Sequence, residues 1–328
     1  MHRLAPVFAL LILSPVVAEI LLGSTPLSKL SLVTFLLYIG FYGTGAVLIR
    51  EMVCRRSLSR SRIVVLALAF GVIEEGLVTQ SLFNPHFPGI GYLGTYGRWL
   101  GVNWYWAEYI LGWHTVWSIS IPILLVELLF PARQSQLWLG RIGLGAIGAI
   151  FVLVGLSFAA IHYSLTGFMA SPVLLTCAAL LVVELVWLAL FMPRRALPIS
   201  SESSVKVPSN WLIELFTLVI GIVWLGNHEL ISPTFLLSAP VLMLCLAALV
   251  VVVIPLIRRW SAQDIRLPLA SGGLLAGEFV GLKIVQNGTI TDLIVLAVLC
   301  AVTVMLLALF NWKMHKRVAN PGKTIQID

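Results

Sequence analysis

Ten apolar runs divide the chain, each close to the roughly 20 residues a helix needs to cross the hydrocarbon core of a bilayer. They lie near 6–23, 30–50, 62–83, 104–130, 141–166, 170–193, 211–230, 235–257, 267–286 and 290–312. The expected fold is therefore all-α: a polytopic transmembrane helix bundle of about ten transmembrane helices. Composition agrees. Of 328 residues, 59% are hydrophobic and only 11% charged, and mean hydropathy is +1.01. A soluble chain of this length could not hide that much apolar surface behind so little charge.

The short connections fix the orientation. Arg50, Arg55, Arg56, Arg60 and Arg62 crowd the second connection, with Arg133 and Arg141 at the fourth, Arg194, Arg195 and Lys206 at the sixth, and Arg258, Arg259 and Arg266 at the eighth. The odd connections carry almost no Lys or Arg. That alternation is the positive-inside pattern, and with an even number of spans it predicts both termini in the cytoplasm. It also accounts for the net charge of +7 without nucleic acid, since no basic stripe with stacking aromatics is present.

The first span has a rival reading as a signal peptide, because Val16-Val17-Ala18 offers small residues for cleavage. Pro15 and the apolar continuation to Leu22 favour a retained helix. The stretch 194–210, rich in Ser, Pro and charge, reads as a cytoplasmic linker. It separates a six-helix membrane block (1–193) from a four-helix block (211–312), which a cytoplasmic tail (313–328) follows. No internal repeat relates the two blocks. The ninth span, broken by Gly272, Gly273, Gly277 and Gly281, reads either as two half-helices or as one helix packed through a small-residue face. Cys54, Cys177, Cys245 and Cys300 show no metal-binding or redox spacing.

Ionisable groups inside a membrane are expensive and mark function by default. Glu19, Glu74, Glu75, Glu108, His114, His162, His228 and Glu229 all fall in the middle or outer half of the expected bundle. The long connection 84–103 adds His86, and its Gly, Pro and aromatic content suggests an ordered cap or re-entrant loop. Glu51, Glu127 and Glu214 lie near inner helix ends, where arginines can pair with them. The adjacent Glu74 and Glu75 are the sharpest feature. On a regular helix they point about 100° apart, so they cannot do the same job; one can activate a water while the other is hydrogen-bonded. His114 follows in the fourth span, with Ser118 one turn on, and His162 closes the fifth.

Glu74-Glu75 in one span, His114 in the next and His162 in the one after resemble the CAAX prenyl endopeptidase and bacteriocin-processing (CPBP) family of intramembrane proteases. That family's pattern runs EExxxR, then FxxxH, then HxxxN or HxxxD. The likeness covers roughly 62–166. Thr79 stands where the family has arginine, Ile110 where it has phenylalanine, and Thr166 where it has Asn or Asp. The resemblance implies Glu74, Glu75, His114 and His162 as catalytic residues. One glutamate would activate a water for attack on a peptide carbonyl, and the histidines would position that water and stabilise the oxyanion. Glu75, His114 and His162 would also suit a divalent metal such as zinc with one open position, although no HExxH is present. Gln80, His86, Glu108, Ser118 and Thr166 would support them. The implied partners are membrane lipids and a membrane-embedded peptide substrate, in the plasma membrane of a prokaryote. Two other functions compete with this hydrolase: a proton-coupled transporter, suggested by acids in both blocks, and a non-catalytic lipid-binding scaffold, suggested by the altered motif positions.

Overall fold

Every apolar run becomes helix where the computed structural model describes it, which is residues 4–191, 207–227, 239–259, 265–285 and 288–319. We number ten helices: α1 (Ala5–Leu21), α2 (Leu32–Arg55), α3 (Ser61–Val72, continued by Ile73–Val78), α4 (Trp104–Leu129), α5 (Arg141–Thr166), α6 (Pro172–Phe191), α7 (Asn210–Gly226), α8 (Ala239–Arg259), α9 (Arg266–Val285) and α10 (Ile290–Ala319). Among the described residues six of these, α2, α4, α5, α6, α9 and α10, are long and apolar enough to cross a membrane. Residues 194–206 of the expected linker, His228 and Glu229, and 320–328 of the tail lie outside the described residues.

Burial sorts the helices into centre and periphery. The most apolar stretches of α4 and α9 are 67% buried, whereas those of α5, α6 and α10 are 6–11% buried. A helix that is apolar all round and exposed all round has lipid for its solvent. Helices α1 and α4 join two packed cores. Val17, Leu21, Trp113 and Trp117 belong to one, together with Leu274 and Val280 of α9. Leu10, Ala18, Ile119 and Ile123 belong to the other, with Phe41 and Phe70.

Helix α9 is continuous from Arg266 to Val285, which decides between the two expectations for the ninth span. Its glycines let backbones touch. A Cβ on Gly281 would stand 2.2 Å from the Leu21 carbonyl oxygen, and one on Gly272 would stand 2.3 Å from that of Glu214. Without a hydrophobic driving force between helices in lipid, such close approach supplies the dispersion that holds them together.

One end of the bundle is clamped by charge. Arg50, fully buried, reaches Glu51 at 2.9 Å and Glu127 at 3.5 Å. It also donates to the carbonyls of Arg133, Gln134 and Gln136 and lies 3.7 Å above the Trp138 ring. Removing one partner from such a buried pair costs about 3–5 kcal/mol, because a charge is left without its complement. At the other end, the connection after α3 forms an ordered cap. A two-stranded ribbon, β1 (Arg98–Trp99) and β2 (Val102–Asn103), pairs antiparallel, and the Asn103 side chain accepts from the Trp106 N–H to cap α4.

Candidate active site

At 1.5 Å per residue, His114 stands about 20 Å along α4 from Glu127 and its arginines, deep in the other half of the bundle. Four helices meet there, and each carries a π-helical turn: Val16–Leu21 in α1, Ile39–Gly43 in α2, Ile73–Val78 in α3 and His114–Ser120 in α4. Such turns bond i to i+5, crowd an extra residue into the helix, and occur often at functional sites. Here each one delivers a polar side chain: Glu19, Tyr42, the Glu74-Glu75 pair, and His114 with Ser118.

The imidazole of His114 is the centre. Its Nε2 lies 2.8 Å from Glu75 Oε1, and its Nδ1 lies 3.0 Å from Ser118 Oγ and 3.1 Å from Glu74 Oε2. Both carboxylates therefore reach one ring, which a regular helix with 100° between neighbours does not favour; the widened turn of α3 brings them round. Their roles still differ. Both oxygens of Glu75 accept hydrogen bonds, Oε1 from His114 and Oε2 from Ser81 and Thr79. Ser81 is itself fixed by the Trp106 indole N–H at 2.9 Å. In Glu74, Oε1 meets the Tyr42 hydroxyl, while Oε2 has no hydrogen bond among the described residues. Its contact with His114 Nδ1 is ionic in reach but off the line of a hydrogen bond.

Glu19, Tyr42, Glu74, Glu75 and His114 line a cavity of about 720 Å³. Aromatic rings of Phe41, Phe158 and Phe87 form much of its wall, Lys283 stands at its exposed rim, and His162 lines it from α5. His162 is not brought to the acid pair. Its ring stacks on Phe87 with centroids 5.8 Å apart, and its Nδ1 has no hydrogen bond among the described residues. The reason is the position of α5, which packs along the periphery and shows its last turns mainly to lipid.

The metal expectation needs the same correction. The donors that gather within 4.8 Å of one another are Glu74, Glu75 and His114, not Glu75, His114 and His162. Two carboxylates and an imidazole are three donors, the number of protein ligands a catalytic zinc takes, and they border the cavity.

The supporting residues separate in the same way. Ser118 belongs to the site: it is buried against His114, and its carbonyl accepts from Ser14 of α1 at 2.6 Å. Gln80, at φ +57°, ties the end of α3 to the α5–α6 connection by accepting from the Ala170 N–H. Thr166 caps α5 by donating to the His162 carbonyl and accepting from the Phe168 N–H. His86 sits exposed in the cap, its N–H on Asn84. Glu108 is half-buried with Oε2 unpaired among the described residues.

Two groups at the centre, Glu19 and Tyr42, lie outside the set of site residues that the sequence suggests. Glu19 was legible as an acid in the outer half of a span. Tyr42 was not, because a tyrosine within an apolar run carries neither charge nor periodicity to mark it.

A family profile described as an uncharacterized membrane protein family matches residues 8–320. No curated protein and no solved structure matches the chain.

Proposed function

We propose that this chain, which belongs over residues 8–320 to that uncharacterized family of membrane proteins, is an intramembrane hydrolase that cleaves a membrane-embedded peptide with a glutamate-activated water. One observation carries the reading: among the described residues, of the four oxygens in the adjacent carboxylates only Glu74 Oε2 has no hydrogen bond, and it lies buried 3.1 Å from an imidazole, on a side chain that lines the cavity. Glu74 is then the base. Once the carboxylate turns Oε2 into the cavity, that oxygen takes a proton from a water, the water oxygen adds to the substrate carbonyl carbon, and the C–N bond breaks as the same proton passes to the leaving nitrogen. Glu75 and Ser118 hold His114 by its two ring nitrogens, so the ring orients the carboxylate pair and does not itself donate to the substrate. The aromatic wall suits the apolar part of the substrate. The reading includes ten membrane-crossing helices, both termini in the cytoplasm, and residence in the plasma membrane of a prokaryote, as the charge alternation of the connections supports.

The test is cleavage of membrane peptides by purified protein in liposomes. A positioned general base contributes about 10²–10⁴-fold, so Glu74→Gln is expected to lose activity by that factor, and chelation reports whether the three donors hold an ion. Equal rates for wild type and Glu74→Gln eliminate the hydrolase; loss of activity on chelation, restored by a metal, places an ion among Glu74, Glu75 and His114. A proton-coupled carrier is the second reading, favoured by the contact of Tyr42 with both Glu19 and Glu74. It predicts solute flux driven by a pH gradient in the same liposomes, in the absence of any cleavage.

A further inference from the structure

Tyr42 has one hydroxyl proton and two carboxyl neighbours. Its Oη lies 2.6 Å from Glu19 Oε1 and also contacts Glu74 Oε1. A phenol donates one hydrogen bond, so it can satisfy one carboxylate only. Two oxygens facing each other with no hydrogen between them repel, and in a buried setting that repulsion is poorly screened. The second contact therefore needs a proton on a carboxyl.

The remaining neighbours do not supply it. Glu19 Oε2 accepts from Thr25 Oγ1 at 2.8 Å, and that hydroxyl also contacts Tyr38 Oη at 2.9 Å. No basic group is hydrogen-bonded or ion-paired to Glu19 among the described residues, where the ion pairs of the cluster join His114 to Glu74 and Glu75 only. His162 and Lys283 face the same cavity from α5 and α9 without an ion pair to any of the three acids.

We propose that Glu19, Tyr42 and Glu74 form a proton-sharing unit which holds one proton beyond the one that belongs to the phenol. In one form Glu19 carries it and donates to Tyr42 Oη, while Tyr42 donates to Glu74 Oε1 and leaves Glu74 ionised. Moving both protons one step gives the reverse form, with Glu74 neutral and Glu19 ionised, and nothing gained or lost. Glu19 thus acts as a positioning residue that sets the charge on Glu74. Its use in catalysis rests on the hydrolase reading; the sharing itself rests on the three side chains alone.

Isotope-edited infrared spectroscopy of the substrate-free protein in liposomes separates the two. With labelled glutamate at neutral pH, the wild type is expected to show a protonated carboxyl. Glu19→Gln, which is isosteric, is expected to lose that signal, because the amide now donates to Tyr42 and Glu74 needs no proton. Tyr42→Phe is expected to shift the signal, because the carboxyl loses its partner. Glu278, a buried acid with Oε1 unpaired among the described residues, is the control, and Glu278→Gln leaves the signal of the unit in place. A spectrum unchanged by both Glu19→Gln and Tyr42→Phe, or one carried entirely by Glu278, overturns the proposal whether or not the protein hydrolyses anything. Spectroscopic success with no cleavage leaves proton sharing standing and removes the hydrolase.

Discussion

His114 has more neighbours than it can serve, and the imbalance defines the site. Two carboxylates and a hydroxyl lie within 3.1 Å of its two nitrogens. Glu75 is the better partner because its other oxygen is fixed by Ser81 and Thr79, so the ring is held from the Glu75 side and leans on Ser118 from the other. The Ser118 hydroxyl is therefore expected to matter through orientation alone. A typical net hydrogen bond is worth about 0.5–1.5 kcal/mol, so Ser118→Ala is expected to lower kcat about 2–10-fold with KM unchanged. A rise in KM at constant kcat would place Ser118 in substrate binding instead. The same residues show what sequence can disclose. Glu74, Glu75 and His114 were legible because charge in an apolar run is costly and so conspicuous. Tyr42, Ser81 and Thr25 were not, since uncharged hydroxyls in or beside such runs cost little and signal nothing until their partners are seen.

Among the elements, the four π-helical turns explain why the pair at 74–75 behaves unlike a pair on an ideal helix. The 3.6-residue period predicted divergent side chains, and the spacing of apolar residues gives no sign of where a turn will widen. Helix α9 holds one of these turns in place. Gly281 meets the carbonyl of Leu21, the residue that ends the π-helical turn bearing Glu19. A methyl group there must push backbone, not a flexible side chain. Gly281→Ala is expected to destabilise the protein by about 1–3 kcal/mol, as overpacking does, and to displace Glu19. Gly145, with nothing within 4 Å of an added Cβ, is the matched control, and Gly145→Ala is expected to be neutral or slightly stabilising, since alanine is the better helix former. Thermal unfolding in detergent compares them; equal midpoints would mean that the α1–α9 seam yields. The continuity of α9 was legible only as one of two alternatives, because glycines that break a helix and glycines that pack one look alike without the neighbouring strand of backbone.

For the whole molecule, the bundle has one clamped end and one hollow end, and the membrane decides which faces the cell. Arg50, Arg55 and Arg60 engage Glu51 and Glu127 at one end; the cavity, its cap and Lys283 lie in the other half. Positive charge in short connections is retained on the cytoplasmic side, so the cavity is expected to open toward the outer half. The four native cysteines form no disulfide, so a cysteine-free background is a reasonable starting point for labelling. Ser59, exposed between α2 and α3, and His86, exposed in the cap, then report the two faces. In intact cells a membrane-impermeant maleimide is expected to label His86→Cys at once and Ser59→Cys only after permeabilisation. The reverse pattern would turn the molecule over, and with it the side from which water and protons reach Glu74. Labelling of both without permeabilisation would place the arginine clamp outside as well, against the charge rule on which the orientation rests. The outcome bears on chemistry because a cavity in the outer half takes its proton balance from the external medium, whose acidity the cell does not buffer. On the proton-sharing proposal, that medium decides whether Glu19, Tyr42 and Glu74 keep their one shared proton, and with it whether Glu74 has an ionised form available.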